Sequence, residues 1–211
     1  KSVLSTSDGY LTISKDSYSW PSIAGNGSAL AENAFKLLQS GDIPDMHKAT
    51  FTLTSQTDSA TFVSDFNFIV SSPKLINGTV HFNDTKTGNG NGQIDPGETI
   101  EVTVPTTNSG HSVSGEVTTQ LFLFGDFVTA NSAALNHGKI SPGETSTSTF
   151  AFTVNQDAIV GSRFSLFITA TAGLYNSVSS FTLAIGSQVE DFETNNFLKY
   201  NWKFIGDTPW E

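Results

Sequence analysis

Ser64-Asp65-Phe66-Asn67-Phe68-Ile69-Val70 and Ser179-Ser180-Phe181-Thr182-Leu183-Ala184-Ile185 lie 115 positions apart and share one pattern. In both, apolar residues recur at every second position, with Ser, Thr, Asn or Asp mostly between them. That is the signature of a strand with one buried and one wet face. The register extends outward. Phe51 and Leu53 stand against Leu166 and Ile168, and Ala34-Phe35-Lys36-Leu37 against Thr149-Phe150-Ala151-Phe152, again 115 apart. Asp8-Gly9-Tyr10-Leu11-Thr12 matches Gly125-Asp126-Phe127-Val128-Thr129 at a spacing of 117. An internal repeat decides architecture more firmly than local propensity does.

The repeat predicts an all-β chain of tandem immunoglobulin-like β-sandwiches, the first of them incomplete. Further strand patterns stand at Leu75 to Phe82, Thr99 to Val104 and Val117 to Phe124. Position 1 maps near residue 117, so the first copy is expected to lack all three. Residues 1–72 are read as the incomplete module and 73–188 as a complete sandwich of about seven strands. An incomplete sheet exposes its edges, so the missing strands are expected in the parent chain or replaced by packing on the neighbouring module. Ser71-Ser72-Pro73-Lys74 is a short linker whose Pro blocks ladder pairing. The stretch Ser28 to Leu38 holds Ala, Leu, Glu and Lys, yet its repeat partner Thr145 to Val154 is Thr-rich and alternating, so a strand is expected there too.

Twenty acidic against ten basic side chains give a net charge of -10, which repels phosphate backbones and anionic headgroups. Nucleic acid is therefore not an expected partner. Membrane insertion is not expected either, because no apolar run approaches the roughly 20 residues that span a bilayer. The absence of Cys rules out a disulfide framework or a catalytic thiol within these residues. The chain opens at Lys1 with neither an initiator Met nor a signal peptide, and is read as a piece of a larger secreted or cell-surface protein.

The sharpest local signal is Asp84-Thr85-Lys86-Thr87-Gly88-Asn89-Gly90-Asn91-Gly92-Gln93-Ile94-Asp95-Pro96-Gly97-Glu98. A hard cation such as calcium needs six to eight oxygens, roughly, and a Gly-rich turn can curl short Asn and Asp side chains around it. Against the twelve-place calcium loop, Gly92 takes the obligatory sixth place, Asn89 and Asn91 places three and five, and Gln93 place seven with its carbonyl. Asp95 and Glu98 take places nine and twelve. Thr87 stands where Asp is expected, and Asp84 is the candidate extra ligand. Pro96-Gly97 forbids an exiting helix, so the loop joins strands. The competing reading is a Gly/Asn-rich hairpin that merely turns the chain between Phe82 and Thr99.

Other chemistry is sparse. His47, His81, His111 and His137 lack the spacing of a zinc helix and are read as surface or hydrogen-bonded residues. No Ser sits in a Gly-x-Ser-x-Gly elbow. Tyr18 and Trp20, beside Pro21, either stack a sugar or cap a core; Trp202 and Trp210 are further candidates for ligand binding.

The run Gly88 to Thr99, followed by Asn108-Ser109-Gly110, resembles the Ig-like modules that follow the protease domain in gingipain-like cysteine peptidases and related surface proteins of Gram-negative anaerobes. Ile43-Pro44-Asp45 leading into Ala49 to Thr54 is similar to the second half of such a module. Asp191-Phe192-Glu193-Thr194-Asn195-Asn196-Phe197, with Trp202 to Trp210, resembles the start of an adhesin-type jelly-roll domain, which would occupy 189–211. The resemblance implies non-catalytic extracellular spacer modules whose partners are neighbouring domains of one parent, with any catalytic Cys and His upstream. The alternative it leaves open is an adhesin that binds glycan or a host surface protein.

Overall fold

Alternation of Phe, Leu, Ile and Val with Thr and Ser builds the long strands of the computed structural model, which describes residues 1–186. In the first repeat these are β1 (Ser2–Ser5), β2 (Leu11–Lys15), β3 (Ser17–Tyr18), β4 (Lys36–Gln39), β5 (His47–Gln56) and β6 (Thr61–Val70). One sheet runs β3-β1-β5-β6, and β2 and β4 pair as a separate two-stranded sheet. Between the sheets Leu4, Ala49 and Phe51 are buried, with Leu11, Ile13, Phe35, Leu53, Phe66 and Val70 packed around them.

The second repeat contributes β7 (Leu75–Asn77), β8 (His81–Asn83), β9 (Thr99–Asn108), β10 (Glu116–Phe124), β11 (Val128–Ala130), β12 (Leu135–Lys139), β13 (Thr145–Val154), β14 (Arg163–Ala172) and β15 (Tyr175–Ala184). Its sheets are β12-β10-β14-β15 and β11-β13-β9-β7, with β8 also paired to β9. They enclose a core of Ile100, Val102 and Val104 from β9, Phe150, Phe152 and Val154 from β13, and Phe164, Leu166 and Ile168 from β14. The pairings reproduce the immunoglobulin order, one sheet reading A-B-E-D and the other extending C-F-G. The strand in the D place, β11, precedes the extra edge strand β12. The fold is all-β, and among the described residues no helix is long and apolar enough to cross a membrane.

The four matched strands fall where the repeat places them: β2 with β11, β4 with β13, β5 with β14, β6 with β15. The structure also changes the expectation. Leu4 pairs with Leu53 as Leu121 pairs with Ile168, so β1 is a short counterpart of β10, and β3 flanks it as β12 flanks β10. Among the described residues the first repeat thus has no counterparts of β7, β8 and β9.

Two boundaries differ for identifiable reasons. The strand expected over Ser28 to Leu38 is confined to Lys36–Gln39, and Asn33 adopts a left-handed φ of 56°. Its counterpart β13 reaches ten residues because β9 bonds it along nearly its whole second edge, a support β4 lacks. The strand expected over Leu75 to Phe82 is split in two. Pro105 of β9 has no N–H to offer, and the Gly78 N–H bonds its carbonyl at 2.7 Å instead. β7 therefore pairs with Thr106 to Asn108, while β8 pairs with Glu101 to Thr103. β9 itself continues past Val104 to Asn108.

The repeats meet at a built junction. One Asp45 oxygen accepts the backbone N–H of Ser72 at 3.0 Å and of His111 at 3.2 Å, and the other bonds His111 Nδ1 at 2.7 Å. The carbonyl of buried Ile43 accepts the Ser72 hydroxyl at 2.8 Å and the Tyr175 hydroxyl at 3.0 Å. The linker is thereby fixed to both modules.

Candidate functional site

The loop of residues 84–98 closes the end of the second sandwich. Gly97 N–H bonds Val154 O at 3.2 Å, and the Ile94 carbonyl accepts the Gly186 N–H at 2.6 Å, so the C-terminal end of β13 and a residue just past the C-terminal end of β15 hold it. Gly90, Gly92 and Gly97 have φ of 74°, 78° and 85°, a region that a side chain makes costly. Gly92, the glycine of the sixth place, shares this conformation with Gly90 and Gly97, as both the calcium-loop and the plain-turn readings require.

Two carboxylates organise the interior. Glu98 is buried, its Oε1 accepting the Asn89 N–H at 2.8 Å and its Oε2 the Asp95 N–H at 3.0 Å. Buried Asp84 accepts the Gly92 N–H on Oδ2 at 2.9 Å. Asn89 Oδ1 accepts the Asn91 N–H at 2.9 Å and Asn91 Oδ1 the Gln93 N–H at 2.7 Å, two successive Asx turns. Both Asn side-chain amides then donate to Asp95 Oδ2, at 2.9 and 2.8 Å. Of the sequence-derived candidates, Asp84, Asn89, Asn91, Asp95 and Glu98 thus share one network. Gln93 is exposed and enters it through its backbone N–H. Thr87 donates its hydroxyl to Thr99 O at 2.6 Å.

The candidate side chains offer oxygen ligands, and buried Asp84 has one carboxylate oxygen with no hydrogen-bond partner among the described residues, which suits a hard cation in type. Among the described residues, no three His, Asp or Glu side chains converge as a metal-binding group. Glu98 in particular is occupied with backbone N–H groups.

The aromatic candidates divide. Trp20 donates its indole N–H to Ser2 Oγ at 2.8 Å, and Ser2 Oγ meets Ser55 Oγ at 2.7 Å. Tyr18 lies edge-on to Trp20, with centroids 4.9 Å apart. Ser2 pairs with Tyr18 as Thr119 pairs with Leu135, which puts Trp20 in the place of His137. His137 in turn bonds Thr119 Oγ1 and Ser148 Oγ through Nε2, both at 2.9 Å, and Ser146 Oγ through Nδ1 at 2.7 Å. Each ring hydrogen-bonds hydroxyl groups of its own sandwich. Beside Trp20 opens a cavity of about 670 Å³ lined by Pro21, Ile23, Leu53, Ser55 and Gln56 among others. Trp202 and Trp210, with the jelly-roll start expected over 189–211, lie outside the described residues.

Sequence reading missed the paired histidines. His47 Nε2 meets Asp8 Oδ2 at 2.6 Å, and His111 meets Asp45 across 66 positions of chain, a separation that no local pattern reveals. The His47 bond and the Tyr10 N–H hold the Asp8 carboxyl below the usual 3.8. At Asp45 burial opposes ionisation, but the His111 ring and the Ser72 and His111 N–H groups outweigh it and hold that carboxyl down as well. Burial pushes His137 below its usual 6.5.

These shifts set the acid response. A His with a lowered folded value binds fewer protons folded than unfolded, so its share of stability is complete above about 6.5 and is lost as pH falls toward the folded value. The lowered Asp8 and Asp45 act later, their share disappearing as pH drops from about 3.8 through their folded values. The urea midpoint is expected to fall between pH 7 and 5.5 more steeply in the wild type than in His137→Gln. Equal slopes would remove His137 from this account.

No family model and no curated protein matches the chain. Among solved structures, it is similar to the native conformation of E. coli alpha-2-macroglobulin at 13% identity and a TM-score of 0.41, over 74% of this chain and 9% of that one. The trypsin-activated alpha-2-macroglobulin from E. coli gives 13% identity and 0.37, over 74% and 10%. AvmM, which catalyzes macrocyclization in alchivemycin A biosynthesis, gives 12% identity and 0.36, over 53% of this chain and 90% of that one. The chain thus spans about a tenth of the length of the macroglobulin structures it matches.

Proposed function

We propose that these residues are non-catalytic, extracellular immunoglobulin-like modules that hold neighbouring domains of a larger secreted or surface protein at fixed spacing. The observation that carries this reading is the Asp45 junction, where one carboxylate ties the Ser72 backbone and both donors of His111. Bending at Ser71-Ser72-Pro73-Lys74 breaks the exposed His111 bonds together with the part-buried Ser72 N–H bond to Asp45 and the buried Ser72 hydroxyl bond to Ile43 O, which stiffens the pair beyond an ordinary linker. The sequence resemblance to modules flanking a gingipain-like protease domain supports the same role and makes domains of one parent chain the first partners.

In this reading the loop of residues 84–98 takes calcium, with Asp84, Asn89, Asn91, Asp95, Glu98 and the Gln93 carbonyl as the oxygens that would hold it. The ion would supply positive charge among the loop carboxylates and fix the module end.

Because the chain has no native Cys, labels placed at Ser59→Cys and Asp126→Cys report only the distance between modules. A single narrow distance distribution is expected, broadened by Asp45→Ala. A broad distribution in the otherwise unchanged chain would sink the spacer reading. Calcium is checked separately. Melting in calcium should exceed melting in chelator, and equal melting with no ion in the dialysed protein would remove the metal and leave the spacer role untouched.

A further inference from the structure

Among the described residues one strand position of the first repeat is unfilled, and the second repeat shows what belongs there. β13 is bonded on both edges, to β11 on one side and to β9 on the other, where Phe150 faces Val102 and Phe152 faces Ile100. β4 takes the place of β13, since Leu11 pairs with Gln39 as Val128 pairs with Val154. Among the described residues β4 has β2 on one edge and no strand on the other. Side chains that are buried in one repeat are open in the other. Leu37 is 38% exposed where its counterpart Phe152 is fully buried, and Phe68 is 53% exposed where Leu183 packs on the core. Leu53 lines the 670 Å³ cavity, whereas its counterpart Ile168 is sealed. The open edge, the bare apolar side chains and the cavity all fall where β9 and its neighbours stand in the second sandwich.

We propose that the free edge of β4 accepts a donated β-strand of the chemistry of β9, apolar at alternate positions and antiparallel to β4, supplied by polypeptide directly N-terminal to β1. β9 enters β10 through residues 109–115 alone, and β1 is the counterpart of β10, so a strand preceding β1 reaches β4 without a crossover. An acidic residue in the place of Glu101 would face Lys36, the counterpart of Ala151, across the new pair. Main-chain hydrogen bonds supply the attraction and the alternate side chains fill the core, the mode of β-strand addition.

The test joins a copy of residues 99–117 directly to Lys1, which preserves the β9 to β10 spacing of the second repeat. Amide exchange at residues 35–39 is expected to slow by about tenfold or more, since a strand edge becomes a paired interior. Binding of a hydrophobic dye is expected to fall. The same fusion with Ile100→Asp and Val102→Asp made in the copy alone should restore both to the unfused values. Unchanged exchange at residues 35–39 in the fused chain overturns the proposal. So does concentration-dependent dimerisation of the unfused chain that already protects these amides, because the occupant is then a second copy. Oligosaccharide shifts at Trp20 that persist unchanged in the fused chain also overturn it. If the fused chain does not fold, a synthetic peptide of residues 99–108 added in trans must protect the same amides saturably, and failure there is equally decisive.

Discussion

Gly110→Ala is expected to destabilise the chain by about 3 kcal/mol and to uncouple the two modules. A Cβ at Gly110 would stand 2.4 Å from Ser72 O, 2.5 Å from Lys74 N and 2.8 Å from the Pro73 carbonyl carbon. All three are backbone atoms, so no side-chain rotation relieves the overlap, and the linker itself must lift. Lifting it strains the bond of the Ser109 N–H to Lys74 O at 2.8 Å and of the His111 N–H to Ser72 O at 3.1 Å. It also disturbs buried Asn108, whose Oδ1 accepts the N–H groups of Lys74 and Gly110, both at 3.1 Å. Gly115→Ala is the control, because a Cβ there meets nothing within 4 Å. Urea unfolding followed at one reporter in each module should show a single transition in wild type and Gly115→Ala, and two separated transitions in Gly110→Ala. A Gly110→Ala protein that unfolds like the control would show that the close approach of linker and turn has no energetic weight.

That turn illustrates what a sequence can and cannot display. Asn108-Ser109-Gly110 announces a turn, because Asn and Gly tolerate tight backbone, but nothing local says that another segment passes within contact of Gly110. The alternation in β6 and β15 and the spacing between repeats were legible because side-chain period and strand order survive in the residues themselves. The split between β7 and β8 was legible only in part. Pro105 is visible, but its consequence falls on a strand facing it some thirty positions earlier, where Gly78 bonds the Pro105 carbonyl. The identity of β1 was missed because four residues carry too little pattern, and only its pairing with β5 reveals it. Trp20 and His137 share no pattern in sequence, yet register puts them at equivalent positions. The role of Asp45 depends on a partner 66 positions away and left no local trace.

The loop teaches the converse: tight turns at Gly90, Gly92 and Gly97 were legible from the glycines themselves, but Glu98 does more than its place in the pattern implies. Glu98→Ala is expected to cost about 3 kcal/mol even in chelator. Both oxygens of this buried carboxylate accept backbone N–H groups, from Asn89 at 2.8 Å and Asp95 at 3.0 Å, and Gly88 packs so closely that a Cβ there would lie 2.6 Å from Oε1. Truncation leaves two donors partly buried without an acceptor, and hydrogen bonds to a charged acceptor are each worth roughly 1.5 to 3 kcal/mol before water fills the gap. Glu98→Gln keeps one acceptor oxygen at the same reach and is expected to lose about half as much. Calcium separates capping from ligation. A cap gives the same loss in chelator and in calcium, whereas a ligand adds a further loss that appears only with the ion present. Melting of the wild type, Glu98→Gln and Glu98→Ala proteins in both conditions yields the two contributions independently. A Glu98→Ala protein that melts with the wild type in chelator would mean the carboxylate is not what holds the loop, and that its N–H groups find water at no cost.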